Sequence, residues 1–216
     1  MQKSDLRKAI EKALAEKGKR KFTQTVELIF NFRGVDFSKP ENKLNLDVIL
    51  PKGRGKSKKV AVFADQQFAL DAKNAGADLV IDANSIALLG KEKKKLKKMA
   101  GEYVFLAQPN LMMAVGKSLG QVLGSRGNLP RPIVGATVSQ MMERLKKSVK
   151  LATKGKNLPV AQCAIGTESM GIEELGENAE AVFDRVVEKV GFPSIKNIYV
   201  KLTMGKAIKA GENKAD

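Results

Sequence analysis

A row of polar side chains near the end of the chain has the composition of a surface that binds a sugar-phosphate backbone. Between Ser194 and Lys206, apolar residues alternate with Asn197, Tyr199, Lys201 and Thr203, and the segment ends in Gly205 and Lys206. Ammonium groups attract phosphates, hydroxyl and amide groups bond sugar hydroxyls, and a tyrosine ring stacks on bases. The same pattern is also typical of the solvated face of an antiparallel sheet.

Three alternating segments provide the strands that would position this row. A period of two places the row on one face of a strand over residues 194–203, with apolar residues on the other face. Residues 23–32 and 44–50 alternate in the same way. Each segment has a single apolar face, so we expect half-buried, antiparallel neighbours.

The overall charge indicates a polyanionic partner. The 216 residues include 39 Lys+Arg against 23 Asp+Glu, which gives a formal net charge of +16 and a pI of about 9.9. Neutralising phosphates releases counterions and favours binding to nucleic acid. There is no apolar run of about 20 residues and no signal-peptide pattern, so we expect a cytosolic protein without a membrane partner.

The composition argues against most catalytic and cofactor chemistry. The chain has no histidine and one cysteine, Cys163, so histidine-dependent triads, ordinary zinc sites and internal disulfides are excluded. The glycines after residue 115 lie within and after a predicted helix, which does not match a dinucleotide-binding fingerprint. We therefore expect no cofactor and no enzyme. An enzyme that uses Asp65 and Asp82 at strand ends remains an alternative.

The pattern changes in the middle of the chain, where strands become continuously apolar. Residues 60–64, 79–81 and 104–107 are such strands, and predicted helices separate them. Buried strands that alternate with helices predict a parallel sheet in a three-layer α/β domain. We predict an α+β domain formed by residues 1–56 and 157–216, interrupted by an inserted Rossmann-like α/β domain at 57–156.

Two basic, glycine-bearing stretches, 51–59 and 146–157, are predicted to be mobile connections between these domains. Residues 1–56, 57–156 and 157–216 have formal charges of +7, +11 and −2. The formal charges alone would predict that the polyanion binds the inserted domain, residues 57–156. However, the lysine run at residues 91–98 is typical of a solvated helix face.

Three motifs, in order along almost the whole chain, resemble the signatures of the ribosomal protein L1 family. They are Lys21-Phe-Thr-Gln-Thr-Val-Glu27, Leu123-Gly-Ser-Arg-Gly-Asn-Leu-Pro-Arg-Pro132 with Gly135-Ala-Thr-Val138, and Ile198-Tyr-Val-Lys-Leu-Thr-Met-Gly205. Ser125, Arg131 and Lys206 depart from the bacterial form, so the chain is more similar to the archaeal and eukaryotic branch. The resemblance implies the same two-piece domain with an inserted Rossmann-like domain.

The resemblance also implies a function. Family members bind large-subunit rRNA and form the mobile stalk beside the tRNA exit site, which helps to release deacylated tRNA. They also repress translation by binding their own mRNA, and off the ribosome they are monomers. By position, the RNA-binding residues would be Lys21, Phe22, Thr25, Glu27, Gly166, Asn197, Thr203, Met204 and Gly205. A nonspecific DNA-packaging protein is the other alternative, because the charge alone would suit it.

Overall fold

A computed structural model describes residues 3–39, 42–134, 137–153 and 158–211. Pro40, the Gly135-Ala136 part of one motif, and residues 154–157 of the predicted second connection lie outside these ranges. The helices are α1 (Lys3–Ala15), α2 (Gln66–Asn74), α3 (Ala83–Lys91), α4 (Lys93–Glu102), α5 (Met112–Ser125), α6 (Val138–Lys147) and α7 (Ile172–Val190). The strands are β1 (Thr25–Phe32), β2 (Asn45–Ile49), β3 (Lys59–Phe63), β4 (Leu79–Ile81), β5 (Tyr103–Ala107), β6 (Arg131–Pro132), β7 (Ser148–Thr153), β8 (Val160–Thr167), β9 (Ile195–Leu202) and β10 (Ile208–Ala210).

Contacts between Cα atoms group the chain into two compact units. The larger unit comprises Met1–Lys56 and Lys147–Asp216, and the smaller unit comprises Ser57–Lys146. The larger unit contains a six-stranded sheet in the order β10-β9-β1-β8-β7-β2, and the smaller unit contains a four-stranded sheet in the order β4-β3-β5-β6. The pairs are antiparallel in the first sheet and parallel in the second, as the alternating and continuous apolar patterns predict.

The core of the larger unit lies between one face of its sheet and the helices α1 and α7. The inward residues of β1 and β9 are fully buried: Val26, Leu28, Phe30, Ile198 and Val200 are all 0% exposed. The buried faces of α1 and α7 contribute Leu6, Ile10, Leu175, Val182 and Val186 to the same core. α1 and α7 pack on this face, and the outward residues of β1 on the other face are half-buried.

The second unit boundary lies earlier in the chain than the sequence predicts. Residues 148–153 are a strand, β7, which pairs with β2 and β8 inside the larger sheet, and they are not a mobile connection. Val149 and Leu151 point into the core and are 5% and 0% exposed. The two units therefore divide between Lys146 and Lys147 and not after residue 156. The prediction differed because the lysines around this strand obscure its short alternating pattern.

The first predicted connection is partly anchored, which also differs from the expectation. Asn178 of α7 is fully buried, and its side chain accepts from the Lys52 amide (3.0 Å) and donates to the carbonyls of Gly53 and Ile165 (both 2.8 Å). A Cβ at Gly55 would collide with the hydroxyl of Thr167. Residues 52–55 are therefore fixed against the end of β8.

The smaller unit has three layers. One face of its parallel sheet packs against α3, α4 and α5 through residues that include Phe63, Phe105 and Leu119. The other face packs against α2 and α6 through residues that include Val62 and Leu106. Strands that are buried on both faces explain the continuous apolar runs in the sequence.

Candidate nucleic-acid interface

The ends of β1 and β9 bring two of the predicted site residues, Thr25 and Thr203, into direct contact. The amide of Thr203 donates to the carbonyl of Thr25 at 3.1 Å, and the amide of Thr25 donates to Oγ1 of Thr203 at 3.1 Å. The Thr203 hydroxyl donates in turn to the Thr25 carbonyl at 3.3 Å. Two threonines that are 178 residues apart in the chain thus form one locked pair at the edge of the polar face.

A buried glutamine that the sequence reasoning missed connects the segments around this pair. Gln24 is 1% exposed, and its Nε2 donates to the carbonyl of Lys17 (2.8 Å) and to Glu168 (3.1 Å). Its Oε1 accepts from the amide of Met204 at 3.1 Å, and its own amide donates to Glu168 at 3.0 Å. The available signal was a polar residue at an inward position of an alternating strand.

Two large apolar side chains beside the threonine pair face solvent. Phe22 is 50% exposed and Met204 is 60% exposed. Gln24 joins the segments that carry them, because it follows Phe22 closely in the chain and bonds the Met204 backbone. Apolar side chains in such a position can exclude water from neighbouring hydrogen bonds once a ligand covers them.

Lys21, Glu27 and Gly205 complete the predicted residues near this end of the sheet. Lys21 is exposed, and Glu27 is half-buried opposite Lys201 of β9. Gly205 closes the tip by donating its amide to the Leu202 carbonyl at 2.9 Å, and a Cβ there would lie 3.1 Å from Cβ of Leu202. The tightness of the tip by itself therefore favours glycine at this position.

Asn197 lies on the same face but at the other end of β9. Six residues separate it from Thr203, which is about 20 Å along an extended strand. It is half-buried opposite Asn31, and its Oδ1 is buried with no hydrogen-bond partner among the described residues. An unpaired buried acceptor costs about 1–3 kcal/mol, which a donor from a ligand would offset.

Gly166 does not belong to the exposed strip, contrary to the prediction. The β1–β8 register shifts between Val26 and Glu27, so Gly166 pairs with the inward residue Val26 and is buried. A Cβ on Gly166 would lie 2.5 Å from Leu175 and 2.7 Å from Met170. The packing inside the protein by itself therefore favours glycine at this position.

The register shift instead places Thr167 beside the threonine pair. Thr167 lies opposite Thr25, and its hydroxyl is 2.9 Å from the hydroxyl of Ser169. Thr167 is only 3% exposed, so it supports the strand ends from inside the protein. The hydroxyl-bearing residues that can meet a ligand are therefore Thr203 and Thr25, which we call the threonine row. Thr167 was missed because no residue in the sequence marks the bulge.

The arrangement around the other titratable candidates is structural. Oδ1 of Asp65 accepts from the Ala83 amide at 2.9 Å. Oδ1 of Asp82 accepts from the Ser85 amide at 3.0 Å, and hydrogen bonds from the side chain and the amide of Ser85 lower the pKa of Asp82. Burial raises the pKa of Cys163 to about 12, so its thiol is protonated at neutral pH. The carboxylates of Asp65 and Asp82 thus hold backbone amides at chain turns.

The described residues include neither a metal-binding cluster nor a membrane-spanning helix. Across 3–39, 42–134, 137–153 and 158–211, no group of three or more His, Cys, Asp or Glu side chains is placed to hold a metal ion. Within those same ranges, no helix has the length and apolar content needed to cross a bilayer.

Comparison with known proteins gave consistent matches over nearly the whole chain. The family described as "Ribosomal protein L1p/L10e family" matches residues 7–206. The large ribosomal subunit protein uL1 of Thermofilum pendens is 46% identical over 208 residues, which cover 94% of this chain and 92% of the relative. The uL1 proteins of Methanothermobacter thermautotrophicus and Methanocella arvoryzae are 43% and 42% identical, over 95% and 97% of this chain and 98% and 99% of their own lengths.

Proposed function

Because the chain belongs to the ribosomal protein L1p/L10e family, we propose that it is a structural protein of the large ribosomal subunit that binds rRNA through the threonine row and its neighbours. The family is one of structural ribosomal proteins, so the chain is not an enzyme. The observation that carries the RNA-binding proposal is the locked contact between Thr25 and Thr203, flanked by exposed Phe22 and Met204.

The threonine row can accept a hydrogen bond from a ribose hydroxyl, because one of its hydroxyl oxygens keeps an unused acceptor site. Oγ1 of Thr203 donates to the Thr25 carbonyl and accepts from the Thr25 amide, so one acceptor site remains. The carboxylate of Glu27 is an acceptor as well. A ribose 2′-hydroxyl can donate to such acceptors, whereas DNA lacks that donor. The row therefore favours RNA over DNA without reading base sequence.

The surrounding side chains add affinity to this selectivity. Lys21, Lys201 and Lys206 can neutralise phosphates, and the ring of Tyr199 can stack on a base. Phe22 and Met204 would lose their solvent exposure against the RNA, which contributes roughly 25 cal/mol per Å² of buried apolar surface. Shielding from water also makes each hydrogen bond in the row more costly to lose.

A filter-binding titration tests the proposal. The probes are tiled fragments of the large-subunit rRNA of Methanothermobacter thermautotrophicus, DNA of the same sequences, and an unrelated RNA duplex, each at two salt concentrations. We expect one rRNA fragment to bind far more tightly than its DNA counterpart at both salt concentrations. Equal binding of RNA and DNA would support the nonspecific packaging alternative instead.

The finer proposal concerns the ribosome. In it, the complex with rRNA forms the mobile stalk beside the tRNA exit site in the cytoplasm and helps to release deacylated tRNA. The resemblance of the three motifs supports this role. The check is the dissociation rate of deacylated tRNA from ribosomes with and without the protein, and an unchanged rate would contradict the role in release.

The proposal extends to the protein's own mRNA. The threonine row would bind a copy of the rRNA motif in that mRNA and so repress translation, with the free protein acting as a monomer. Competition between the mRNA leader and the rRNA fragment for one protein is the test. Simultaneous binding of both RNAs would show that they use different surfaces.

A further inference from the structure

We propose that the lysine-covered side of α4 is a second RNA contact, which holds the sugar-phosphate backbone without regard to base sequence. This surface, the lysine surface, consists of Lys91, Lys93, Lys94, Lys95, Lys97 and Lys98. The inference rests on the proposed function, because it takes the bound polyanion to be the RNA. It assigns a binding role to the smaller unit, which holds none of the threonine row.

The packing of α4 turns its five lysines outward, and Lys91 is the last residue of α3 just before them. Leu96, Met99 and Ala100 are the buried residues of the helix, and they occupy one side at helical spacing. All six lysines are exposed. Lys93 with Lys97 and Lys94 with Lys98 stand four residues apart, so they form two parallel pairs about 6 Å apart along the helix.

This placement of charge opposes the stability of the helix. Like charges four residues apart repel each other, and Lys93, Lys94 and Lys95 occupy the first turn, where the helix dipole is positive. The first turn contains no acidic residue, and Glu92 at the N-cap makes no side-chain capping bond. A polyanion bound here would offset these unfavourable terms, because phosphates attract both the lysines and the positive end of the helix.

The ion pairs at this surface leave most of its charge uncompensated. Glu92 contacts Lys95 at 3.2 Å, and no other salt bridge involving this surface is found within the described part of the chain. Both side chains of this pair are more than half exposed, so the contact contributes little. The remaining lysines are free to neutralise external phosphates.

The local shape is also suitable for a backbone contact. Residues 91–95 line a shallow, open depression of about 480 Å³. It is lined by Lys91, Glu92 and residues 93–95, and the lysine methylene stems form most of its surface. None of these side chains is aromatic, so the depression has no ring on which a base could stack. Phosphate attraction without sequence selectivity is the chemistry that these residues supply.

The test uses the full-length chain with the tightest rRNA fragment from the titration and the unrelated RNA duplex. One variant combines Lys93→Gln, Lys94→Gln and Lys97→Gln. Its matched control combines Lys8→Gln, Lys12→Gln and Lys189→Gln, which removes the same charge from exposed positions on α1 and α7. A third variant changes the same α4 lysines to arginine.

We expect the slope of log Kd against log salt concentration to fall by roughly 2 to 3 in the α4 glutamine variant, because three phosphate contacts are lost. The control and the arginine variant should keep the wild-type slope to within about 1. The preference for RNA over matched DNA should not change. Thermal unfolding should show the glutamine variant to be at least as stable as the wild type, since it removes repulsion.

The two proposals fail in different ways. If the wild-type chain prefers the rRNA fragment to DNA but the α4 glutamine variant keeps the wild-type slope, the lysines are only a solvated helix face. If the control loses as much slope as the α4 variant, the contribution of charge is global and the lysine surface is not a contact. If the wild-type chain shows no RNA preference, the proposed function itself is wrong.

Discussion

The hydroxyl of Thr203 makes two hydrogen bonds inside the protein, so its removal should affect stability as well as RNA binding. Replacing Thr203 with valine removes both bonds to the Thr25 backbone, which should lower the free energy of unfolding by about 1–2 kcal/mol. It should also weaken rRNA binding by roughly 1–3 kcal/mol, because the remaining acceptor is lost.

Thr203→Ser provides the matched control for this change, because it keeps the hydroxyl. Urea unfolding would measure the stability and filter binding the affinity of both variants. The serine variant should stay close to the wild type in both measurements. A valine variant that is less stable but binds rRNA with unchanged affinity would show that Thr203 holds the fold and does not touch the RNA.

Cys163 allows a prediction about reactivity and pH. Burial raises the pKa of its thiol to about 12, whereas an unfolded cysteine titrates near 8.5. Iodoacetamide at pH 8 should therefore label the native chain at least about a thousandfold more slowly than the chain in urea. Because the native thiol keeps its proton longer, its contribution to stability falls as the pH rises above about 8.5. Fast native labelling would show that the site opens.

At the scale of the elements, Gly166 is expected to be a packing residue. Gly166→Ala places a methyl group against Leu175 and Met170, and overpacking of this kind costs about 1–3 kcal/mol. Gly116→Ala is the control, because a Cβ at this position of α5 meets nothing within 4 Å. Alanine there should stabilise the helix by up to about 1 kcal/mol. Urea unfolding would measure the free energy of unfolding of both variants. An unchanged value for Gly166→Ala would contradict the packing argument.

The elements that sequence predicts well are those with a strict period. β1 alternates without interruption, β9 alternates from Asn197 onward, and β3 and β5 are continuously apolar, so both sheet types were predictable. β6 has two residues and β10 has three, which are too few to show a period. The bulge in β8 changes which residues face inward, and the alternation up to Ile165 gives no warning of it.

The candidate site was predictable only in part, for related reasons. Motif resemblance selected Thr25 and Thr203, but their mutual hydrogen bonds depend on strand register. Gln24, Thr167 and Asn178 act through partners that are distant in sequence. Such contacts follow from tertiary packing, which local patterns do not encode.

At the scale of the whole molecule, the corrected boundary changes the distribution of charge. Residues 57–146 contain 14 Lys+Arg and 7 Asp+Glu, so the smaller unit has a formal charge of +7 and the larger unit the remaining +9. The excess of positive charge is therefore shared between the units and does not concentrate on the insertion. Net charge alone no longer selects one unit as the RNA-binding one.

Deleting the smaller unit tests where specificity resides. A chain in which a short Gly-Ser turn joins Lys56 to Lys147 should fold and keep its preference for rRNA over DNA, because the whole threonine row lies in the larger unit. In high salt its affinity should stay within about tenfold of the full chain, since phosphate attraction is then screened. Filter binding provides the measurement. If a folded deletion variant lost the preference for rRNA over DNA, the removed unit would be the source of that preference.

The pairing of β2 with β7 has a consequence for protein engineering. Ile49 lies opposite Ser148, and the amide of Leu50 donates to the Lys147 carbonyl at 3.0 Å. The two chain segments that connect the larger unit to residues 57–146 thus start from adjacent ends of paired antiparallel strands. Any compact module whose own termini are adjacent, such as a fluorescent reporter, should be graftable there in place of residues 57–146.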